Sequence, residues 1–314
     1  MEKLITTVLG TVAPSELGII DAHSHVWIEP VVSGADDAPV LDDEVMIGRE
    51  LRAFRDSGGS AIVDCQPVSV GRNGNMLRRL AQASGVHLIA CTGFHRKRYY
   101  APTPTLWQMR AEDAADLFVH ELTVRLTETT DDAEPVRAGF IKIAGEATMA
   151  ETPQHLLEAA AMACRVTDCM ISMHTEKGAS VEAFLQFFID HNVDPQRLVF
   201  CHVDKRADFG FHSEIAQSGA MLEYDTFFRP KYDPDHNVWP LLEKMIAAGF
   251  AAQVALATDM AEASMWRDPG PAAFPTIIQS RLAAMDVPQE TINQLMGHNI
   301  AKRLAMPVRR EVYS

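Results

Sequence analysis

The sequence has no run of about 18 consecutive apolar residues, the length that a membrane-spanning helix needs. Its first residues, MEKLITTVLGTVAPSELG, lack the basic segment and long apolar core of a secretory signal peptide. The five cysteines are odd in number and form no CxxC pair, so nothing indicates a disulfide framework or a zinc–thiolate cluster. We therefore expect a cytoplasmic protein without a membrane partner.

Positive charge is also scarce. The 28 lysine and arginine residues are outnumbered by 42 aspartate and glutamate residues, which gives a formal net charge of −14. An acidic surface repels nucleic acid, so we expect no nucleic-acid partner. The hydrophobic fraction of 47% is ordinary for a globular protein. A small molecule, even an anionic one held in a local pocket, remains the expected partner.

No segment rich in glycine, serine or proline divides the chain, which predicts a single domain over residues 1–314. Short apolar runs rich in valine and isoleucine predict buried strands, because a parallel sheet is covered by helices on both faces. The eight runs cover residues 17–23, 60–66, 86–93, 138–144, 169–174, 197–202, 220–225 and 253–259. Helical patterns alternate with them and no hairpin signal is evident, which is typical of a (β/α)8 barrel of the α/β class.

Six segments between or after these runs have helical spacing of their apolar residues. They cover residues 41–58, 75–85, 152–167, 180–194, 238–250 and 288–306. Thr152 is the expected N-cap of the third of these, with Pro153 in its first turn. Residues 99–134 are too long for a bare loop and predict one or two helices, with FVHELTVRL the best candidate. Residues 260–276 are predicted to form a long loop at the active-site rim.

Polar side chains stand where several predicted strands end. His23 and His25 follow the first strand two positions apart, so both rings can share one face. His174 and His202 end the fifth and sixth strands, and Asp259 ends the eighth. The carboxyl ends of barrel strands meet at one rim, where active sites lie. Neutral imidazole and carboxylate favour Zn²⁺ and also suit Mn²⁺ or Co²⁺, so the sequence predicts a metal site at this rim.

Lys142 lies between Ile141 and Ile143 in the predicted fourth strand, where an ammonium group would be desolvated. Burial lowers the pKa of a lysine and favours a neutral, nucleophilic amine. The side chain could pair with a carboxylate, form a Schiff base, or be carboxylated by CO₂ so that its oxygens bridge two metal ions. The residues alone leave these three interpretations open.

The motifs around these positions resemble the phosphotriesterase family of the amidohydrolase superfamily. GTVAPSELGIIDAHSHVW, AGFIKIA, MHTEKG, CHVDK, LATDM and GHNIAKRLAM follow one another in the family's order over nearly the whole chain. The resemblance is closest to the sugar-lactonase branch of the family. It implies a single-domain TIM barrel, a metal-dependent hydrolase that acts on a small molecule, and a possible homodimer.

The resemblance also assigns the metal ligands. One divalent ion would be held by His23, His25 and Asp259 and a second by His174 and His202, with an N6-carboxylated Lys142 between them. Such a pair of ions lowers the pKa of a bound water enough to give hydroxide near neutral pH. Asp259 would accept the proton of the nucleophile and pass it to the departing alkoxide.

The segment LEYDTFFRPKYDPD, residues 222–235, resembles the strand-seven region of the sugar-lactonase branch. Arg229, Lys231 and Tyr232 are predicted to project into the mouth and contact hydroxyl, carboxylate or phosphate groups of the substrate. A solvated loop with an incidental basic pair is the alternative. His95, at the end of the third strand, is a further candidate for substrate contact or for a structural role.

Members of the branch that take phosphorylated lactones carry a basic residue soon after the strand-eight aspartate. This chain has Glu262 there, and a carboxylate would repel phosphate, although Arg267 could compensate as a substrate contact. The sequence therefore predicts a hydrolase that opens an unphosphorylated sugar or hydroxy-acid lactone. The alternative is a phosphotriesterase, or another phosphoester or carboxylester hydrolase, with the same metal site.

Overall fold

The computed structural model describes residues 2–31, 38–129 and 134–307, which form a (β/α)8 barrel. The strands are β1 Lys3–Thr7, β2 Gly10–Val12, β3 Ile19–Ser24, β4 Gly59–Asp64, β5 His87–Ile89, β6 Cys91–Gly93, β7 Phe140–Ala144, β8 Ile171–His174, β9 Leu198–Cys201, β10 Met221–Tyr224, β11 Val254–Leu256 and β12 Met306–Pro307. Parallel pairing runs from β3 to β5 and from β6 to β11. Only Ala90 separates β5 from β6, so together they form the third barrel strand. All eight barrel strands predicted from the sequence are confirmed.

The barrel closes between its first and last strands. The His23 carbonyl accepts hydrogen bonds from the backbone N–H groups of Asp259 at 2.8 Å and Thr258 at 3.3 Å. The Thr258 hydroxyl donates to Asp21 Oδ2 at 2.6 Å, which ties the same two strands together through side chains. These bonds bring Asp259 next to His23, although the two residues are far apart in the sequence.

Helices cover the outside of the barrel. They are α1 Glu44–Asp56, α2 Gly74–Ser84, α3 Ala111–Thr123, α4 Gln154–Thr167, α5 Val181–Asp190, α6 Phe209–Gln217, α7 Val238–Ala247, α8 Ala263–Arg267, α9 Gln279–Ala284, α10 Gln289–Asn293 and α11 Asn299–Leu304. The Asp43 and Asn73 side chains cap α1 and α2 by accepting backbone N–H groups, and Gly85 ends α2 at a φ of 75°. No helix in the described part of the chain is both long and apolar enough to cross a membrane.

The amino-terminal end of the barrel is packed with apolar side chains. Phe140 and Met221 begin β7 and β10, Met170 directly precedes β8, and all three join Ile5 of β1 and Leu304 of α11 in one buried cluster. A second, larger cluster lies between the strands and the surrounding helices. The polar residues at the carboxyl ends of the strands are therefore left at the opposite rim.

The chain contains a hairpin, although no hairpin signal is evident in its sequence. Strands β1 and β2 pair in antiparallel register, with Thr7 opposite Gly10 and only Val8 and Leu9 between them. A tight hairpin is recognised in a sequence mainly by Asn-Gly or Asp-Gly at its turn, and this turn has neither. Gly10, at a φ of 119°, provides the left-handed backbone just after the turn.

Two local predictions near the rim also differ from the structure. Residues 260–276 are not a bare loop, because they contain α8, whose buried Trp266 donates its indole N–H to the His25 carbonyl at 3.0 Å. Thr152 does not cap α4, because its hydroxyl instead donates to the Thr148 carbonyl at 3.0 Å and Pro153 occupies the cap position. The predicted helix in residues 99–134 is confirmed as α3.

Candidate metal centre

His23 and His25 stand at the carboxyl end of β3 with their ring centroids 5.6 Å apart. His23 Nδ1 lies 2.8 Å from Glu223 Oε1, and His25 Nδ1 lies 2.7 Å from Gln66 Oε1. An oxygen at Nδ1 accepts the ring N–H and leaves the lone pair on Nε2. Each ring is thus oriented so that Nε2 is available for a ligand.

His174 and His202 complete the cluster. Their ring centroids are 4.7 Å apart, and His202 lies 4.9 Å from His23. Asp225 Oδ2 is 2.5 Å from His202 Nδ1, which leaves Nε2 of that ring available. Glu176 Oε1 is 2.9 Å from His174 Nε2, so Nδ1 is the nitrogen that His174 can offer.

Asp259 faces the histidines from the end of β11. Its Oδ1 atom is 3.6 Å from His23 Nε2 and 3.8 Å from His25 Nε2. These distances are too long for hydrogen bonds, but they suit three atoms that each bind one ion at about 2 Å. Asp259 and His202 have φ values of 49° and 64°, a left-handed backbone that is uncommon outside glycine, although Asp and His adopt it more often than other residues do, and that is found at functional sites as well as in turns.

Burial sets the protonation of these groups. It lowers the pKa of His25 to about 4, and it lowers the pKa values of His23 and His202 well below the usual range. Burial acts to raise the pKa of Asp259, but His202 and Arg229 outweigh it and hold that pKa below its usual value. At neutral pH the cluster therefore presents uncharged imidazoles and an ionised carboxylate, the forms that bind metal.

Lys142 lies on β7 and has no solvent exposure. Its Nζ atom is 3.2 Å from Cys201 Sγ and 3.4 Å from Ser172 Oγ, and it forms no ion pair with a described carboxylate. Burial acts to lower the pKa of Lys142, but Cys201, Cys65 and Glu223 raise it above its usual range. The prediction of a lowered pKa from burial alone is therefore wrong.

The donor set fits a divalent metal centre. Neutral imidazoles with a carboxylate are ligands that Zn²⁺, Mn²⁺ and Co²⁺ accept. One donor atom each from His23, His202 and Asp259 lies within 4.8 Å of the others. The rings of His23 and His202 also have their second nitrogen on a buried carboxylate, as is typical of histidines that bind metal.

A cavity of about 580 Å³ opens over the cluster, a size that suits a small-molecule site. Its polar lining residues are His23, His25, Glu29, Gln66, His95, Tyr99, His174, His202, Lys205, Arg229, Asp259 and Glu262. The structure thus brings the predicted histidines and Asp259 together at one cavity, with His95 and Arg229 beside them. Lys142 lies below the cluster, outside this lining.

The other predicted substrate contacts are not in the cavity lining. Lys231 and Tyr232 lie in a short 3-10 turn that leaves Lys231 exposed, with its Nζ 5.1 Å from the centre of the Tyr232 ring. Arg267 is 57% exposed, and its Nη2 atom lies 3.8 Å from Asp43 Oδ2. The direction of a side chain that follows a strand depends on the geometry of the turn there. The residue types alone do not encode that geometry.

Four further residues of the site were not predicted. Glu223, Asp225 and Gln66 orient the histidines, and Lys205 lines the cavity. A sequence signal exists for Glu223, because a charged residue in the apolar run AMLEYD is unusual. Lys205 stands three positions after His202, and nothing in that spacing distinguishes it from a solvated lysine.

A (β/α)8 barrel with histidines and an aspartate gathered at its carboxyl rim defines an enzyme scaffold with a candidate metal centre. The chain belongs to the phosphotriesterase family, because the model of that family matches residues 3–300. The resemblance inferred from the motifs is thereby confirmed. Membership implies a divalent metal site, and the cluster described above is where such a site can form.

Individual relatives extend this comparison. A phospho-furanose lactonase of Mycoplasmopsis synoviae is 28% identical over 272 residues, which cover 82% of this chain and 76% of the relative. The N-acetyltaurine hydrolase of Homo sapiens is 25% identical over 256 residues, 71% of each chain. The crystal structure of a lactonase from Listeria monocytogenes has a TM-score of 0.88 at 20% identity and covers 97% of this chain and all of that one. This last likeness shows the fold alone.

Proposed function

We propose that this protein is a metal-dependent hydrolase that opens a lactone ring. The observation that carries the proposal is the convergence of His23 Nε2, His25 Nε2 and Asp259 Oδ1 beneath a cavity of small-molecule size. The relative named phospho-furanose lactonase supports a lactone as the substrate. In the proposed reaction water attacks the ring carbonyl carbon and the bond from that carbon to the ring oxygen breaks.

The residues of the cluster divide into two ligand groups. His23, His25 and Asp259 would hold one ion and His174 and His202 a second, N6-carboxylated Lys142 would be a further ligand, and we propose zinc as the metal. When bound, the two ions supply a water of lowered pKa and polarise the lactone carbonyl. The buried carboxylates on His23 and His202 hold the rings in the tautomer that this requires.

Asp259 has a second role in the proposed reaction, as the group that moves the proton. Its lowered pKa keeps it ionised at neutral pH, so it can accept the proton of the attacking water. The same proton then passes to the ring oxygen as it leaves as an alkoxide. Arg229 Nη2 holds Asp259 Oδ2 at 2.8 Å and fixes the direction of the carboxylate.

The substrate is proposed to be an unphosphorylated sugar or hydroxy-acid lactone. Glu262 lines the cavity, where its carboxylate would repel a phosphate dianion, and Arg267 does not reach the lining to offset it. Matched lactones with and without a phosphate group test this step. A higher kcat/KM for the phosphorylated member of each pair would contradict it.

The central experiment combines metal analysis with a lactone panel. Purified protein reconstituted with Zn²⁺ or Mn²⁺ should hold close to two ions per chain, and a pH indicator should report acid release from lactones. Lys142→Ala should lose the second ion and most of the activity. If the fully metal-loaded protein opens no lactone, the proposed function is wrong.

A second candidate keeps the site and changes the bond. The N-acetyltaurine hydrolase relative shows that a similar sequence is found in a hydrolase of another name, so phosphotriesters, carboxylesters and amides belong in the same assay. The relative kcat/KM values decide between the candidates. We also propose that residues 1–314 form one domain of a cytoplasmic enzyme of carbohydrate catabolism, assembled as a dimer, which sedimentation would test.

A further inference from the structure

Lys205 presents a positive charge to the cavity, and its Nζ atom lies 5.4 Å from the centre of the Tyr232 ring. It ends a 3-10 turn, Val203–Lys205, directly after β9, and only 11% of its side chain is exposed. Its Nζ makes no hydrogen bond within the described part of the chain, and its nearest carboxylate oxygen, Asp225 Oδ1, is 3.9 Å away. The other oxygen of Asp225 is already taken by His202. A nearly buried ammonium with three free donors is costly unless an acceptor reaches it.

Arg229 has a similar free donor on the neighbouring strand end. Its Nη2 is committed to Asp259, but its buried Nε atom has no hydrogen-bond partner among the described residues. Both Arg229 and Lys205 line the cavity over the metal cluster. They follow β10 and β9, which pair with each other, so their donors belong to one side of the mouth.

The lining also carries negative charge, in a different sector of the rim. Glu262 follows β11 and Glu29 follows β3, the two strands that meet where the barrel closes. Glu29 Oε1 is held by the Asn73 amide at 2.6 Å. The cavity therefore has a cationic sector formed by Lys205 and Arg229 and an anionic sector formed by Glu29 and Glu262.

We propose that the lactone substrate carries a carboxylate group, which Lys205 and Arg229 bind in the cationic sector. This inference rests on the proposed lactonase function and names the class of lactone. A carboxylate has one charge and two oxygens, which match one ammonium and one free guanidinium N–H. A phosphate dianion would bring more negative charge into a cavity that Glu29 and Glu262 also line. Lys205 is then the residue that determines specificity for acidic lactones.

Aldaric acid monolactones and aldonolactones of the same ring provide matched substrates, because they differ by a carboxylate in place of a hydroxymethyl group. We expect the metal-loaded enzyme to prefer the acid member by about 10- to 100-fold in kcat/KM, the range for charge-assisted hydrogen bonds. Lys205→Gln should remove most of this preference by raising KM for the acid. Lys205→Arg, which keeps the charge, should restore part of it. Lys244→Gln on the exposed face of α7 has the same change in net charge and should leave the preference intact.

Several results would overturn the inference while the lactonase proposal stands. One is a higher kcat/KM of the natural enzyme for the neutral or the phosphorylated lactone than for the acid. Another is an equal loss of kcat on the acid and the neutral lactone in Lys205→Gln, which would indicate an oxyanion contact or a folding defect. If the metal-loaded protein opens no lactone at all, calorimetry with a free aldarate decides. Weaker aldarate binding in Lys205→Gln than in Lys244→Gln supports the subsite, and equal binding refutes it.

Discussion

Glu223 Oε1 and His23 Nδ1 lie 2.8 Å apart, and neither side chain is more than 1% exposed. Burial raises the pKa of Glu223 well above its usual value, and the ring N–H of His23 is the partner of its Oε1 atom. An acceptor oxygen in this position fixes the tautomer and the rotation of the histidine. The contact joins the first and seventh barrel strands at the point where the candidate metal ligands meet.

Truncation of Glu223 should weaken metal binding. Glu223→Ala is expected to lower metal affinity by about 10- to 100-fold, because His23 loses the acceptor that orients it. Competition with a chelator of known affinity measures the change. Glu223→Gln keeps an acceptor oxygen and should lose less metal affinity. Glu243→Ala changes an exposed residue of α7 and should leave the metal affinity unchanged. Unchanged metal affinity in Glu223→Ala would show that the contact is only structural.

Asp259→Asn should strongly reduce the rate of hydrolysis and should have a small effect on folding stability. Amidation removes the proton acceptor and one anionic ligand, and the loss of general-base action alone is expected to lower kcat by about 10²- to 10⁴-fold. Steady-state kinetics on the best lactone, with metal content measured in the same sample, separates the two contributions. An Asp259→Asn protein that keeps full kcat would exclude Asp259 as the proton carrier.

Asp64 should make stability depend on pH. Its Oδ1 accepts the Val26 N–H at 2.7 Å while Oδ2 has no hydrogen-bond partner among the described residues, and burial raises the pKa of Asp64 to about 7. Because the unfolded carboxyl titrates near 3.9, the stabilising contribution of the folded, protonated form is complete below that pKa. It is lost as the pH rises through about 7, by about 4 kcal/mol at most.

Asp64→Asn keeps an acceptor and cannot ionise, so its stability relative to the natural chain should improve as the pH rises from about 4 to about 8. Urea unfolding at several pH values measures this difference. Asp56→Asn, on an exposed residue at the end of α1, serves as the control. A difference that does not change with pH would mean that the carboxyl of Asp64 stays ionised in the fold.

A buried ion pair should support the loop between β4 and α2. Arg72 Nη2 lies 2.6 Å from Glu121 Oε1, and both side chains are fully buried. Removal of one partner leaves an uncompensated charge, so Arg72→Met should lower the free energy of unfolding by about 3–5 kcal/mol. Chemical denaturation gives this value, and Arg72→Met with Glu121→Gln together should recover part of the loss. A loss below about 1 kcal/mol would contradict the prediction.

The sequence by itself determined the barrel and the rim at which the candidate metal ligands meet. Eight apolar runs alternate with helical patterns, and His23, His25, His174, His202 and Asp259 stand at the ends of four of these runs, which meet at one rim in any parallel barrel. That convergence follows from strand direction alone, so it could be predicted without knowledge of side-chain contacts.

Tertiary structure decided which other polar groups reach the site. Glu223 and Gln66 orient ligands from neighbouring strands, and Lys205 faces the cavity while Lys231 is exposed to solvent. The physical reason is that direction after a strand end depends on turn geometry and on packing against distant segments. Arg267 shows the same dependence, because it ends an unexpected helix, α8, from which it reaches Asp43 and is not part of the cavity lining.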